Sequence, residues 1–399
     1  MKELAQIASA VQASKTMAMD ALAKQMKADG IDVIGFGAGE PDFNTPDHIK
    51  AAAEKAIAEN VTRYTPASGT MELKEAVCRR MREDCGLDYR PSQVIVTSGA
   101  KHCVYIALRA LVDPGDEVIL PAPFWVSYLE LIKMMGGVPV VVSAGESAGF
   151  KMAAEQLAGA ITPKTKAIIL NNPNNPTGMV YSKAELEAIV KVCVERDIYI
   201  ISDEIYYSLM YDDGEFVSAA SFGADAKERA ILVNGVSKSY AMTGWRIGYT
   251  LAGEKITKVM ANFLSHSTGS PGSISQAAAV AALSGPQDCV ETMRRAFEER
   301  RNYIVERVNA IGGVSCIKPE GAFYIMMNVE KLLGRTIHGE KINSSDDFAS
   351  ALLKHGLVAT VPCESSGAPN FVRWSYATSM DNIREGMDRL ETFLKSGHV

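Results

Sequence analysis

Residues 230–248 read AILVNGVSKSYAMTGWRIG, and their order sets the architecture of the chain. AILVN is a continuous apolar run, too short for a typical helix and closed by Gly235, which is the pattern of a strand buried on both faces. Six further runs share it: QVIVTSG (93–99), EVILP (117–121), VPVVVSA (138–144), AIILNN (167–172), YIISDE (199–204) and IGYTLA (247–252). Helical patterns such as KAELEAIVKVCVERD (183–197) lie between several of them. Continuous apolar strands alternating with helices predict the α/β class, a mostly parallel seven-stranded sheet flanked by helices. Ligands on such sheets bind beyond the strand C-termini. The chain's unusual residues fall at those ends: Ser98, Gly99, Ala100 and Lys101 after the first run, then Trp125, Asn175, Asp203 and Tyr206, and finally Ser237 and Lys238.

Beyond about Pro286 the pattern changes. A long charged helix (290–312) is followed by strand-like segments GVSCI (313–317), AFYIMMN (322–328), VATVP (358–362) and FVRWSYA (371–377), predicting a smaller α+β domain. The expected division is 1–45, a segment packing with the small domain; 46–287, the large domain; and 288–399, the small one. A chain of 399 residues suits two such domains. With 47% hydrophobic and 22% charged residues it reads as globular, and a net charge of −6 gives no general nucleic-acid footprint. Seven scattered cysteines without a C-x-x-C pair indicate neither a disulfide framework nor a zinc site. The first residues lack an apolar signal-peptide core and no run reaches about 18 apolar residues, so a cytoplasmic protein is expected, without membrane.

The chemistry starts at Lys238. An ammonium just past a buried strand is costly to desolvate unless it is paired or chemically committed, and a lysine pushed toward neutrality is a nucleophile for aldehydes. Eight residues on, Arg246 offers a planar fork to a dianionic phosphate, with Ser237 and nearby glycines leaving room for more donors. Ser98, Gly99 and Ala100 open a helical run whose free amides suit either a phosphate or an ordinary cap. An aldehyde carrying a phosphate describes pyridoxal 5'-phosphate. Asp203 suits a protonated ring nitrogen or a helix N-cap. Tyr206, three residues on, can face the same pocket, and Asn175 can donate an amide hydrogen bond. Trp125 is a flat cover for a ring or a core aromatic. Arg373 lies mid-strand and needs either a ligand carboxylate or an internal salt bridge. GAGEPDF (37–43) is a close-approach loop or a plain glycine turn.

From Gly37 to Arg373 these motifs together resemble the class I and II pyridoxal-phosphate aminotransferases of fold type I. The resemblance implies ping-pong transfer of an amino group between an amino acid and a 2-oxo acid, with Lys238 holding the cofactor and moving the proton. It implies Asp203 at the ring nitrogen, Asn175 and Tyr206 at the phenolic oxygen, and Trp125 over the ring. Ser98, Gly99, Ala100, Lys101, Ser237 and Arg246 would surround the phosphate, and Arg373 and Gly39 would take the substrate α-carboxylate beside Trp125 and Asn175. A homodimer is also implied, in which Tyr64 reaches the neighbouring subunit's phosphate. No arginine lies between Arg246 and Arg294, where one branch of the family carries its distal-carboxylate arginine. Lys101 and Thr16 instead match the bacterial and plastid branch that includes aspartate/prephenate enzymes. L-Aspartate and 2-oxoglutarate are therefore the expected pair, with prephenate or aromatic and neutral amino acids as the alternative and β-elimination behind them.

Overall fold

The computed structural model describes residues 2–11 and 15–397. In chain order its strands are β1 (Ile34–Gly35), β2 (Val94–Thr97), β3 (Glu117–Ala122), β4 (Val138–Ser143), β5 (Thr165–Asn171), β6 (Tyr199–Asp203), β7 (Ala230–Gly235), β8 (Gly248–Leu251), β9 (Tyr324–Asn328), β10 (Thr336–Ile337), β11 (Glu340–Lys341), β12 (Val358–Ala359), β13 (Val361–Pro362) and β14 (Phe371–Ser375). Strands β2 to β8, which are the seven apolar runs, form one sheet in the order β2-β8-β7-β6-β5-β3-β4. Strand β8 runs antiparallel to both neighbours, and every other pair is parallel.

The side chains explain the unbroken hydrophobicity. Ile169 and Ile201 pack on one face with the helix Ala100–Leu111, whereas Ile168, Leu170 and Ile200 pack on the other with the helix Lys183–Glu195. Both faces are covered, so both sets of alternate residues must be apolar, each full burial contributing about 1.5–3 kcal/mol. A further cluster joins Val94, Val96, Tyr249 and Leu251 to the helices Met71–Cys85 and Ser273–Ser284. From the last of these, buried Gln276 accepts the Thr70 N–H at 2.9 Å and donates to Thr65 Oγ1 at 3.0 Å and Pro271 O at 2.9 Å. One side chain thus ties loops 62–70 and 268–272 together.

A second body carries the three-stranded antiparallel sheet β13-β14-β9, covered by the helices Asp288–Ala310 and Met380–Ser396 through Phe297, Ile304, Trp374 and Phe393. Strand β1 pairs with β12, and Phe36 beyond it packs against Trp374 with ring centroids 4.7 Å apart and planes tilted by 47°. The segment GVSCI is not a strand. Only Ser315 forms an isolated bridge, to Asn328, because the backbone of Cys316 is satisfied by the Asn309 side chain at 3.0 and 3.1 Å. Among the described residues no helix is long and apolar enough to cross a membrane.

Candidate active site

The C-terminal ends of β5, β6 and β7 open into a cleft of about 350 Å³ roofed by the second body. Its lining includes Lys101, Trp125, Asn175, Asp203, Tyr206, Ser237, Lys238, Arg246 and Arg373. Residues separated by more than two hundred positions therefore converge on one space.

Lys238 lies inside the cleft and donates from Nζ to the Gly39 carbonyl at 2.5 Å. Burial pulls its amine down from 10.5 to about 8, with Glu40 acting in the opposite sense. Asp203, the last residue of β6, is enclosed; Tyr128 donates to its Oδ2 at 2.7 Å and the Ile205 N–H to its Oδ1 at 3.2 Å. Desolvation pushes this carboxyl up to about 6, against the pull of those two bonds and of Lys238. No helix begins at Asp203, which removes the N-cap alternative.

At one end, Arg246 adopts left-handed backbone (φ 57°) and donates to Thr243 O at 2.8 Å and Ser98 O at 3.4 Å. It stands over the start of the helix Ala100–Leu111, where the His102 N–H already donates to Gly99 O at 3.0 Å and the Ala100 and Lys101 amides precede the first helical bond. Gly99, at φ 87°, is needed there because a Cβ would run into the Arg246 guanidinium, and a Cβ on Gly248 would strike the Gly99 backbone. Ala100 and Lys101 line the cleft, while Ser98 and Gly99 stand behind them.

Arg373, only 5% exposed on β14, donates to Asn175 Oδ1 at 3.0 Å and Gly37 O at 2.7 Å. Its buried Nε has no partner. No carboxylate pairs with it among the described residues, so the internal salt bridge allowed by the sequence is not made. Lys101 lies 4.9 Å over the Trp125 ring and likewise has no carboxylate partner among the described residues; burial and Arg246 lower its pKa. Trp125 meets Tyr128 edge-on at 5.3 Å. Asn175 is held by a 2.7 Å bond from its N–H to Asn171 Oδ1.

Two further sequence candidates stand apart from this cleft in different ways. Tyr64 is fully exposed and does not line the cleft of its own chain. Thr16 falls in the helix Lys15–Ala28, and its side chain lies outside the described residues. The lining also includes polar residues not anticipated from the sequence, among them Glu40, Tyr128, Asn171 and Tyr324. Tyr128 is three residues past Trp125, the helical spacing that would have signalled it, but Tyr324 in PEGAFYIM looks like core and is indeed unexposed.

The cleft fits pyridoxal phosphate: a fork above glycines that leave no room for side chains, a buried carboxyl, a lysine with lowered pKa and an orphaned guanidinium nitrogen. The sequence pattern of the family "Aminotransferase class I and II" matches residues 31–390. The chain belongs to this family of pyridoxal-phosphate enzymes, and it is an aminotransferase of fold type I. It is 48% identical over 394 residues, 99% of each chain, to the aspartate aminotransferase of Geobacillus stearothermophilus. It is 46% identical over 386 residues, 96% of each chain, to the aspartate/prephenate aminotransferase of Cereibacter sphaeroides. In three dimensions it is similar to the aspartate aminotransferase of Rhizobium meliloti (TM-score 0.96, 40% identity, 99% of this chain and 100% of that one). The Thermus thermophilus enzyme solved with maleate gives a TM-score of 0.93 at 40% identity, covering 98% and 100%.

Proposed function

We propose that this aminotransferase moves the α-amino group of L-aspartate to 2-oxoglutarate in two half-reactions. One observation carries the reading: Arg246, Lys101 and Arg373 enter the same cleft, and none has a carboxylate partner among the described residues. A cofactor phosphate and the two carboxylates of a dicarboxylic substrate answer them one for one. The relatives named aspartate aminotransferase and the neighbour solved with maleate, itself a dicarboxylate, support the choice.

Arg246, Ser237 and the amide after Gly99 would hold the phosphate, with Ser98 and Gly99 shaping the turn, and Asp203 would hold the ring nitrogen in its protonated form, braced by Tyr128. Asn175 and Tyr206 face the phenolic oxygen, and Trp125 limits tilt. When bound, the cofactor supplies an aldehyde carbon for nitrogen and a ring that accepts the electron pair released at the substrate's α-carbon. Lys238 Nζ, whose neutral form becomes the major one only above about pH 8, would attach the cofactor and, once freed, would take the proton from the substrate Cα and return it on the other side of the transfer. Arg373 and Gly39 fix the α-carboxylate and Lys101 the distal one, with Thr16 near it. In this reading residues 46–287 hold the cofactor, while 1–45 and 288–399 bring in Arg373. Tyr64 completes the phosphate site of a second copy in a homodimer, which gives its exposure a use. The enzyme works in the cytoplasm.

The Cereibacter relative's name favours prephenate as a second amino acceptor at the same Lys101 end. The test is absorbance of the yellow holoenzyme: bleaching by L-aspartate and recovery with 2-oxoglutarate is expected. A yellow protein indifferent to aspartate but bleached by a neutral or aromatic amino acid would overturn the substrate assignment.

A further inference from the structure

Tyr206 and Tyr324 lie with their hydroxyl oxygens 2.9 Å apart, and both are buried. Two phenols own two hydrogens, and a single bond between them uses one. The other must find an acceptor, since a buried hydroxyl hydrogen without one costs on the order of 1–3 kcal/mol. The Tyr324 oxygen is shut in: it presses on Gly39, where a Cβ would lie 2.9 Å from it, and its only hydrogen-bond partner among the described residues is Tyr206. The Arg373 guanidinium carbon sits 4.6 Å above the Tyr324 ring, and a cation there favours Tyr324 as the donor. Tyr206, standing edge-on to Phe323 at 5.4 Å, has the cleft as its remaining direction.

We propose that Tyr324 is a positioning residue that donates its hydroxyl hydrogen to Tyr206 and thereby commits the Tyr206 hydrogen to the cofactor's phenolic oxygen. The inference rests on the placement of Tyr206 given above. Donation to that oxygen stabilises its anionic form and lowers the pH at which the Lys238–cofactor link loses its proton. The other groups facing Tyr206 are Asp203, Lys238 and Arg373, and a Tyr324→Phe change removes none of them.

The test is the visible absorbance titration of the holoenzyme without substrate. For Tyr324→Phe, which keeps the ring beneath Arg373, the midpoint should rise by about half a pH unit, roughly a threefold change in the equilibrium. Tyr206→Phe should raise it further, and adding Tyr324→Phe to Tyr206→Phe should change nothing more. An unmoved midpoint in Tyr324→Phe, or an equal shift in both backgrounds, would overturn the proposal. Failure of the wild-type protein to form any yellow species would instead bring down the cofactor placement. A merely structural role for Tyr324 would lower the melting temperature without touching the titration.

Discussion

Two neighbouring carboxyls leave the end of β6 toward opposite sides of the sheet, and their surroundings differ in kind. Asp203 points into the cleft, with Tyr128 and the Ile205 amide on its oxygens and the Lys238 charge near it. Glu204 is as deeply buried, and its Oε1 accepts from Ser202 Oγ at 2.9 Å, Ser218 Oγ at 2.8 Å and the Ala219 N–H at 3.2 Å. Its Oε2 has no partner. Desolvation raises both, to about 6 and about 7. A perturbed carboxyl is therefore no signature of chemistry by itself. What marks Asp203 is the company of Arg246, Lys101 and Arg373, cations with no carboxylate partner among the described residues, whereas the hydrogen bonds of Glu204 tie the segment after Ser218 to the strand end.

The sharpest way to break this contrast is Asp203→Asn, which keeps the shape and a hydrogen bond to Tyr128 but cannot hold a proton on the ring nitrogen. Turnover should fall about 10³-fold with cofactor still bound, as read by steady-state kinetics beside the visible spectrum. Near-normal transamination would erase the difference between the two acids. Next in size, Lys101→Ser should lower kcat/KM for aspartate by about 10- to 100-fold, the loss of one hydrogen-bonded charge, and leave a neutral amino acid much less affected. Equal losses would detach Lys101 from the distal carboxylate.

The lysine beside Asp203 gives a pH test. Below about 8 the reactive neutral amine of Lys238 grows roughly tenfold per pH unit, so the rate at which apoprotein regains colour with added cofactor should climb to about pH 8 and then level. A rate still rising steeply at pH 9.5 would mean a solvated lysine. The smallest effect belongs to Glu204→Gln, with turnover within about twofold of wild type. Because the folded carboxyl keeps its proton up to about pH 7 and the unfolded one releases it near 4.5, native stability should decline as pH rises between those values and stay low above them. Urea melts should show that decline in the wild type and one smaller by on the order of 1–3 kcal/mol in the variant, where the raised Asp203 carboxyl still contributes up to about pH 6.

Much of this is legible in the sequence. Strands covered on both sides must be apolar throughout, which made all seven visible as runs and placed Asp203, Asn175 and Lys238 at their ends. Arg373 stood out because a guanidinium inside an apolar strand demands an anion. The roles of Tyr128 and Tyr324 were not legible: an aromatic with a hydroxyl reads as core whether or not the hydroxyl meets a reacting group. Spacing tells which face a residue takes but not what arrives from across the space. The same limit explains GVSCI, a plausible strand whose backbone was claimed by Asn309 from the preceding helix.

Gln276 bears on how anything comes to sit against Tyr64. The loop carrying that tyrosine is pinned to its neighbour by three bonds from one buried amide, so its conformational entropy is lost when the chain folds and not when a partner docks. In the dimer proposed above, Tyr64 would then be presented on a ready-made surface, and encounter with it would need only orientation, with no slow ordering step to limit the association rate.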